Sequence, residues 1–496
     1  MPPGGFPMYG KEFAADPAAF YQHLRQYGPA APVELYPGVR ASLVTSYAAA
    51  LDVLRTPETF SKDSRRWNDL NNGRIAPDNP ARPMMEYRPN CLLTDGAEHA
   101  RLRGAVDDSL ERLDPVALRG YVERSADQLI DRFAERGEAD LVADYARTLP
   151  LLVFNELFGS PAEFGDRLVA GLIGIFDGID AERANQELTE CMLELVAYKR
   201  ARPGPDITSW LMAHSARLTD EEMVHQLVLL MGAGTEPQLN LITNGLRLLL
   251  SDDRFAGSLA GGSLPVEDAL DEVLWADPPM ANYAVHFPVR DVDLGGVRLP
   301  AGDPVVISFS AANTDPALAA EHRAGNRAHL AWSAGPHACP AQGPARLIAT
   351  VAVEKLLDRL PDMELALPVG ELPWRSGPFH RALAALPVRF PAVPVAGAPA
   401  GGTPGAGARA TAPRSAPHDA APQSTDPRGT DPGAVPGRPA ETTGETSWQP
   451  LQTDPPLPAP TRSTRPAATS TARPSVSTGT GRWRGWSSLA AWWRGR

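Results

Sequence analysis

The feature that most limits how this chain can fold is an apolar segment of 27 residues, Val224–Leu250. Apolar residues lie on nearly every side of a helix drawn through it, which is typical of a helix that crosses the centre of a large domain. Its middle, Gly232–Pro237, combines two glycines with threonine, glutamate and proline. A proline inside a helix removes one backbone hydrogen bond, here the one to the carbonyl of Ala233. We therefore predict a buried helix that kinks near Pro237.

A second stretch, Trp332–Arg346, contains the last of only three cysteines. Cys339 stands shortly before a run with helical period, Ala345–Leu357. The free N–H groups and positive dipole end at the start of a helix favour thiolate over thiol. A thiolate held in this way is a suitable axial ligand for a haem iron. A buried free cysteine is the structural alternative, whereas zinc is disfavoured because no Cys/His cluster at ligand spacing accompanies Cys339.

Composition divides the chain of 496 residues into a folded part and a tail. Residues 401–496 contain 15 prolines and almost no aliphatic residues, so they cannot bury enough apolar surface to fold. We predict a folded domain at 1–395, a disordered Pro/Ala/Thr/Ser-rich linker at 396–480 and a Trp/Arg-rich terminal segment at 481–496. The acidic balance of the folded part argues against nucleic-acid binding.

Cysteine usage and the distribution of apolar residues indicate the cellular location. Three cysteines without pairing logic suggest a reducing compartment. With no signal peptide and no apolar run of 18 residues or more, we expect a cytoplasmic protein. The terminal segment combines tryptophans and arginines, which suits peripheral contact with an anionic membrane or a protein partner; a sticky disordered end is the alternative. Lysine occurs at only four positions, which we interpret as a property of the genome.

The order of predicted elements gives a mainly α fold with small β-sheets (α+β), built as a single large helical domain. Helical periodicity covers 16–27, 47–55, most of 116–200, 266–275 and 345–359. Hairpin patterns flank a Pro-Gly turn at 33–45 and a Gly-Gly turn at 291–308, and a short strand region is expected at 363–367. The polar segment 61–95 is long for a loop, so we expect it to be a lid or a wall of a substrate site; a solvated insertion is the alternative.

His99 and Arg103 lie one helical turn apart on the same face of a predicted helix. Two cations on one face suit an anionic partner, and a solvated basic face is the alternative.

The residues around Cys339 form a pattern of their own. It consists of an aromatic residue seven positions before the cysteine, Gly335, His337 and the pair Ala345-Arg346.

This set of residues resembles the haem-binding loop of the cytochromes P-450. Trp332 and Ala341 depart from the family pattern, which has phenylalanine and glycine there. The resemblance spans roughly residues 10–395 and implies the P-450 fold with haem b (iron protoporphyrin IX) as cofactor. It implies that Cys339 is the proximal iron ligand, with His337 and Arg346 near the haem edge.

The same resemblance extends to the residues that bind the haem propionates and cover the distal face. It assigns His99 and Arg103 to the propionates, and His286 falls where many relatives place a propionate-binding arginine. A half-buried structural histidine is the equal alternative for His286. In the central segment, Ala233 and Gly234 match the family's distal pattern.

Catalytic candidates also come from the central segment. Glu236 matches the family's acidic residue, but Pro237 stands where a threonine that helps to protonate bound oxygen is expected. We expect Glu236, Gln238 or ordered water to substitute for that threonine, with Thr235 as a further candidate. A kinked core helix without chemistry is the alternative.

The largest departure is at Glu272, where the family has Glu-x-x-Arg and this chain has Trp275 in place of the arginine. A lone buried carboxylate is costly, so we expect Glu272 to find another cation, Arg323 or Arg327. A missing arginine here is also typical of a divergent actinobacterial subgroup that is encoded with signalling proteins.

The resemblance implies a monooxygenase that inserts one oxygen atom from O2 into a small hydrophobic substrate. Its electrons would come from ferredoxin and ferredoxin reductase. The alternative is a catalytically weak or inactive haem-binding partner of a signalling protein. The altered positions 237 and 275, together with the long tail, favour this alternative.

Overall fold

The structure is a computed structural model that describes residues 5–161, 164–177, 180–252, 265–318 and 325–394. All of them belong to the first of two units, Met1–Thr403. The second unit, Pro404–Arg496, lies outside the described residues, as do the predicted linker and the terminal segment.

Helices make up most of the described chain, so the prediction of a mainly helical domain with small sheets is confirmed. The α-helices are Lys11–Ala15, Pro17–Leu24, Tyr47–Arg55, Asn68–Asn71, Arg82–Met85, Gly96–Leu110, Pro115–Ile130, Leu149–Phe158, Gly165–Asp177, Ala181–Ala201, Ile207–Ala213, Asp220–Ser251, Val266–Ala276, Phe309–Asn313 and Gln342–Arg359. Short 3₁₀ turns occur at Arg25–Tyr27, Ser64–Arg66, Ala134–Arg136, Gly335–His337 and Val369–Glu371, and a π-helical turn at Val142–Ala146.

Four small sheets lie among these helices. Their strands are β1 Phe6–Pro7, β2 Ala30–Tyr36, β3 Val39–Val44, β4 Phe60–Ser61, β5 Glu138–Asp140, β6 Phe287–Pro288, β7 Val292–Leu294, β8 Val297–Leu299, β9 Val305–Ile307, β10 Glu364–Leu365 and β11 Pro387–Arg389. The largest sheet has the order β1-β2-β3-β9, and a second has the order β10-β11-β5. The predicted hairpins are β2–β3, which turns at Gly38, and β7–β8, which turns at Gly295-Gly296.

The predicted apolar segment forms the central helix, Asp220–Ser251. Its first turn is closed by a capping box, in which Glu222 N–H donates to Thr219 Oγ1 at 3.2 Å and Thr219 N–H donates to Glu222 Oε2 at 2.8 Å. The helix contacts Leu149–Phe158, Ala181–Ala201 and Gln342–Arg359, and most of its residues are buried. Within the described part of the chain, none of the helices combines the length and the apolarity needed to cross a bilayer.

The central helix continues through Pro237, which stands inside it, and the kink there stays a prediction. Two local predictions differ from the structure. The helix after Cys339 begins at Gln342, nearly one turn earlier than predicted. The stretch 116–200 contains strand β5, because its residues pair with β11 near the end of the domain. Such long-range pairing leaves no mark on local periodicity.

Candidate functional site

Cys339 lies at the end of a tight loop, Leu330–Ala341, which we call the cysteine loop. Its backbone N–H donates to the carbonyl of Trp332 at 2.8 Å, so the loop folds back on itself. Gly335 has a φ of +69°, and a Cβ atom there would collide with the carbonyl of Leu54. Only glycine fits this position, which presses the loop against the helix Tyr47–Arg55.

The Cys339 thiol is half-buried, and its electrostatic surroundings are mixed. Burial raises the pKa of Cys339, whereas the Ala341 N–H and the charge of Arg103 act to lower it. The start of the next helix therefore favours the thiolate, as predicted, but burial outweighs this effect. A metal ion at the sulfur would reverse the balance, because a coordinating thiol is deprotonated.

The structure brings two of the predicted cofactor-binding histidines together beside this loop. The rings of His99 and His337 lie 4.1 Å apart between centroids. His337 Nε2 lies 3.5 Å from Asp95 Oδ1, while His99 Nε2 is buried without a partner in the described chain. Burial, followed by the charges of His337 and Arg103, lowers the pKa of His99 to about 4. At neutral pH His99 is therefore an uncharged ring with an orphaned nitrogen.

Arg103 is the cation of the predicted pair. Its Nε donates to Asp107 Oδ1 at 2.6 Å, one turn along the same helix, Gly96–Leu110. One of its terminal nitrogens, Nη1, donates to the carbonyl of Pro336 at 3.3 Å. This bond ties the helix to the cysteine loop and keeps the guanidinium next to His337.

His286 lies near Lys62, His337 and Asp95, but its ring is neutral, whereas binding a propionate calls for a cation. It pairs with Val305 through backbone hydrogen bonds of 2.7 and 2.8 Å, and its Nδ1 lies 2.6 Å from the Ala284 carbonyl. Burial, helped by the charge of Lys62, holds the pKa of His286 well below its ordinary value. The neutral ring must therefore donate from Nδ1 to the Ala284 carbonyl, which leaves an acceptor at Nε2. A carboxylate also has only acceptor oxygens, so Nε2 of His286 cannot form a hydrogen bond with it.

Lys62 is the residue that sequence reasoning missed. It is 2% exposed, and its Nζ donates to the carbonyl of Val285 at 2.8 Å. Burial lowers the pKa of Lys62 to about 7, although Asp95 acts in the opposite direction. The rarity of lysine in this chain is the one signal in the sequence that singles out Lys62.

Asp95 orders this group of side chains. It accepts from Ser61 Oγ at 2.5 Å and from the Lys62 N–H at 3.0 Å, and it faces His337. Burial acts to raise the pKa of Asp95, but the hydrogen bonds from His337, Ser61 and the Lys62 N–H outweigh it and hold the pKa below its ordinary value. The carboxylate thus stays ionised and fixes the His337 ring.

The central helix presents an accessible stripe in its middle. Ala233 is exposed, and Leu229, Leu230, Gly234 and Pro237 are half-buried, whereas most flanking residues are buried. Spacings of one, four and five residues place all five on one side of the helix. Ala233 and Gly234, predicted to border a cofactor, therefore share this side with Pro237.

Gly234 also has a packing reason to be glycine. A Cβ atom at this position would lie 2.5 Å from the ring of Phe154, on the helix Leu149–Phe158. The close approach of these two helices depends on the missing side chain.

The three predicted catalytic side chains are buried and lie beside the stripe or opposite it. Glu236 forms an ion pair with Arg375 and accepts from Asn240 Nδ2 at 3.3 Å. Gln238 Nε2 donates to the carbonyl of Ala345 at 3.1 Å, which joins the central helix to the helix after Cys339. Thr235 Oγ1 is buried without a partner among the described residues. The contacts of Glu236 and Gln238 are those of structural groups.

The prediction that Arg327 pairs with Glu272 is wrong. Arg327 Nε donates to Asp271 Oδ2 at 2.9 Å instead, and Arg323 lies outside the described residues. Arg346, predicted near a haem edge, also forms an ion pair with Asp271. A half-buried Glu272 can remain hydrated, whereas Asp271 is 8% exposed and needs the cations.

Trp275 makes a second connection between the same elements. Its Nε1 donates to the carbonyl of Asn326 at 2.7 Å, and its ring lies edge-on to His329, 5.6 Å away between centroids. The helix Val266–Ala276 is thereby tied to the segment before the cysteine loop without an arginine at 275.

The residues present fit a haem. A cysteine sulfur is a suitable iron ligand, and an accessible, largely apolar stripe suits the face of a flat macrocycle. The buried Lys62 ammonium, the Arg103 guanidinium and the orphaned His99 nitrogen suit its carboxylate side groups.

Comparison with known proteins gives the same picture. The chain is 34% identical to the cytochrome P450 monooxygenase PikC of Streptomyces venezuelae over 401 residues, covering 77% of this chain and 92% of the relative. It is 31% identical to a 2-hydroxy-5-methyl-1-naphthoate 7-hydroxylase of Streptomyces carzinostaticus, covering 74% and 93%. The solved structure of CYP154A1 from Streptomyces coelicolor A3(2) superposes with a TM-score of 0.71 at 29% identity, covering 78% of this chain and 100% of that one. No family model matches the chain.

Proposed function

Since this chain belongs to the cytochrome P450 family and is a P450 monooxygenase, we propose that it holds haem b through Cys339 and hydroxylates a small organic substrate. When bound, the haem supplies the chemistry that uses O2, two electrons and two protons to place one oxygen atom in the substrate and release the other as water. The observation that carries the proposal is the convergence of Cys339 with Arg103, His99 and His337 at one loop.

The side chains of this site have distinct tasks in the proposal. Cys339 provides the sulfur ligand. Arg103 and Lys62 neutralise the carboxylates of the haem, and Lys62 takes over the task first predicted for His286, because a neutral His286 offers an acceptor. His99 donates from Nε2, its unused nitrogen.

Electron supply and substrate class follow from the same proposal. Ferredoxin and ferredoxin reductase deliver the electrons as separate proteins. The relatives include a vitamin D(3) 25-hydroxylase of Pseudonocardia autotrophica and a steroid C26-monooxygenase of Mycobacterium tuberculosis, which supports a small, largely hydrophobic substrate. The cytoplasmic location, the signalling partner and the membrane contact of the terminal segment stay predictions.

The test is the difference spectrum of the reduced, purified protein with carbon monoxide. We expect the thiolate-ligated band after which the family is named, and its loss in Cys339→Ala. Cys191→Ala is the matched control, because Cys191 is buried in the helix Ala181–Ala201. An unchanged band in Cys339→Ala would refute the ligand assignment.

One observation favours the weak-turnover alternative. Pro237 lies on the accessible stripe of the central helix and has no hydroxyl, whereas the family resemblance places a threonine there. Glu236 is held by Arg375, which limits its use as a substitute. Product formed per electron pair consumed distinguishes efficient turnover from this alternative.

A further inference from the structure

We propose that Arg88 binds the carboxylate of the substrate, so that this enzyme acts on lipophilic organic acids. The inference rests on the proposed function, which it deepens by naming a substrate class. Nothing in the family resemblance assigned a role to this residue, which stands in the segment 61–95.

Arg88 lies in a segment that is hydrogen-bonded to the central helix. Three residues further along the chain, Cys91 N–H donates to Gln226 Oε1 at 3.1 Å, and Gln226 Nε2 donates to the carbonyl of Leu102 at 3.0 Å. Gln226 precedes Gly234 by eight residues, about two helical turns. The segment that carries Arg88 is therefore anchored within about 12 Å, along the helix axis, of the accessible stripe.

The guanidinium of Arg88 is poorly compensated. Its Nη2 donates to Asn185 Oδ1 at 2.9 Å, on the helix Ala181–Ala201, and this partner is neutral. Across the described ranges, Arg88 forms no ion pair. Glu86, the closest carboxylate in sequence, is bound by Arg82 at 2.8 Å. A guanidinium has five N–H donors, so most of its capacity is unused.

The groups around Arg88 supply little negative charge: Glu86 acts on it from a distance but is bound by Arg82. Burial lowers the pKa of Arg88, yet an arginine stays protonated in proteins. Burial, helped by the charge of Arg88, lowers the pKa of His225 to about 4, and burial raises the pKa of Tyr283 to about 12. Both are uncharged at neutral pH. A half-buried cation whose hydrogen-bond partner is neutral is stabilised when an anion joins it.

These neighbours place Arg88 between elements that are distant in sequence. Asn185, His225 and Tyr283 belong to three separate parts of the fold: the helix Ala181–Ala201, the central helix and the segment after Ala276. The Tyr283 hydroxyl donates to the carbonyl of Met84 at 3.0 Å, and its ring packs edge-on against Phe379 at 5.6 Å. The aromatic ring of Tyr283, backed by Phe379, therefore lies near the cation, which suits a lipophilic body behind a carboxylate.

A carboxylate matches this site better than a phosphate does. A single guanidinium neutralises one negative charge and pairs with the two oxygens of a carboxylate in a fork geometry. A phosphate dianion would need a second cation, and Arg82 is already paired with Glu86.

The test uses the full-length haem-loaded protein and three probe pairs that share a lipophilic body and differ at one end group, charged in the first member and neutral in the second: dodecanoate with dodecan-1-ol, 4-phenylbutyrate with 4-phenylbutan-1-ol, and deoxycholate with its methyl ester. Dissociation constants are measured by equilibrium dialysis, which does not depend on the haem spectrum. In at least one pair we expect the acid to bind about tenfold or more tightly than its neutral partner, as befits a charge-assisted hydrogen bond. We expect Arg88→Gln to abolish this preference and Arg88→Lys to keep part of it.

Arg82→Gln is the matched control, because Arg82 lies in the same segment but is paired. The proposal is overturned if no acid binds better than its neutral partner, if Arg88→Gln keeps the preference, or if Arg82→Gln loses it equally. The carbon monoxide spectrum of each sample separates the two hypotheses: a normal band without acid preference refutes the Arg88 site alone. A sample without the band refutes the proposed function, and its dialysis result still decides the Arg88 site.

Discussion

Arg327 donates from Nε to the carboxylate of Asp271 over 2.9 Å, one residue before the glutamate that the family pattern singles out. Arg346, from the helix after Cys339, reaches the same carboxylate. Asp271 thus joins three elements around the cysteine loop: its own helix, Val266–Ala276, the segment before the loop and the helix after it. This connection stands where the Glu-x-x-Arg ion pair would be expected.

Asp271→Asn should destabilise the protein more than Glu272→Gln does. Asp271→Asn leaves Arg346, whose side chain is 20% exposed, without its anion, which should cost roughly 1–3 kcal/mol. The Arg327 side chain is 61% exposed and adds little to this cost. A half-buried Glu272 without an ion pair among the described residues should cost less than about 0.5 kcal/mol. Urea unfolding of both variants measures the difference. Equal losses would mean that Asp271 is not the connecting residue.

Lys62 should make the stability of the haem-free protein depend on pH. Its pKa is lowered from 10.5 to about 7 in the folded state, so between these values the unfolded chain binds more protons. Stability then rises with pH from about 7 upward, with a slope of at most about 1.4 kcal/mol per pH unit. We expect this slope in the difference between wild type and Lys62→Met, measured by urea unfolding at several pH values.

The haem-loaded protein provides the control for Lys62. If the ammonium binds a haem carboxylate, the anion favours the charged form and the slope becomes smaller. The difference in free energy of unfolding between wild type and Lys62→Met could instead stay constant with pH in both the haem-free and the haem-loaded protein. That result would contradict the lowered pKa assigned to Lys62.

Gly234→Ala should lower the free energy of unfolding because the new methyl group meets the Phe154 ring. Crowding of this kind costs about 1–3 kcal/mol, of which the better helix preference of alanine offsets about 1. Gly104→Ala is the control, since a Cβ atom at Gly104 has nothing within 4 Å, and should be neutral or stabilising. In a Phe154→Leu background the cost of Gly234→Ala should shrink; an unchanged cost would exclude the contact as its cause.

Pro237→Thr should raise both stability and coupling. The substitution restores a backbone N–H inside the continuous central helix, where proline is about 3 kcal/mol less favourable than alanine. Pro237→Val repairs the helix equally but has no hydroxyl. We therefore expect both variants to resist urea better, and only the threonine to increase product formed per electron pair. Identical coupling in the two variants would rule out a role for the hydroxyl.

Much of the fold could be predicted because local signals agree with it. The helix Tyr47–Arg55 and the hairpin turns at Gly38 and Gly295-Gly296 follow from periodicity and turn residues. Strand β5 could not be predicted, since three residues become a strand only through pairing with β11, about 250 positions away.

The sequence by itself determined the family and indicated the residues of the candidate site: Cys339 in its loop, His99 with Arg103, and the central helix with its glycines. Spacing along the chain carries this information, because each group lies within one or two turns of a single element. The tertiary structure alone decided which charges meet. Arg327 pairs with Asp271 instead of Glu272, Arg375 holds Glu236, and Lys62 lies beside His286. Ion pairs and burial join residues distant in sequence, and electrostatic energy depends on their separation in space and on the surrounding solvent, which no local pattern records.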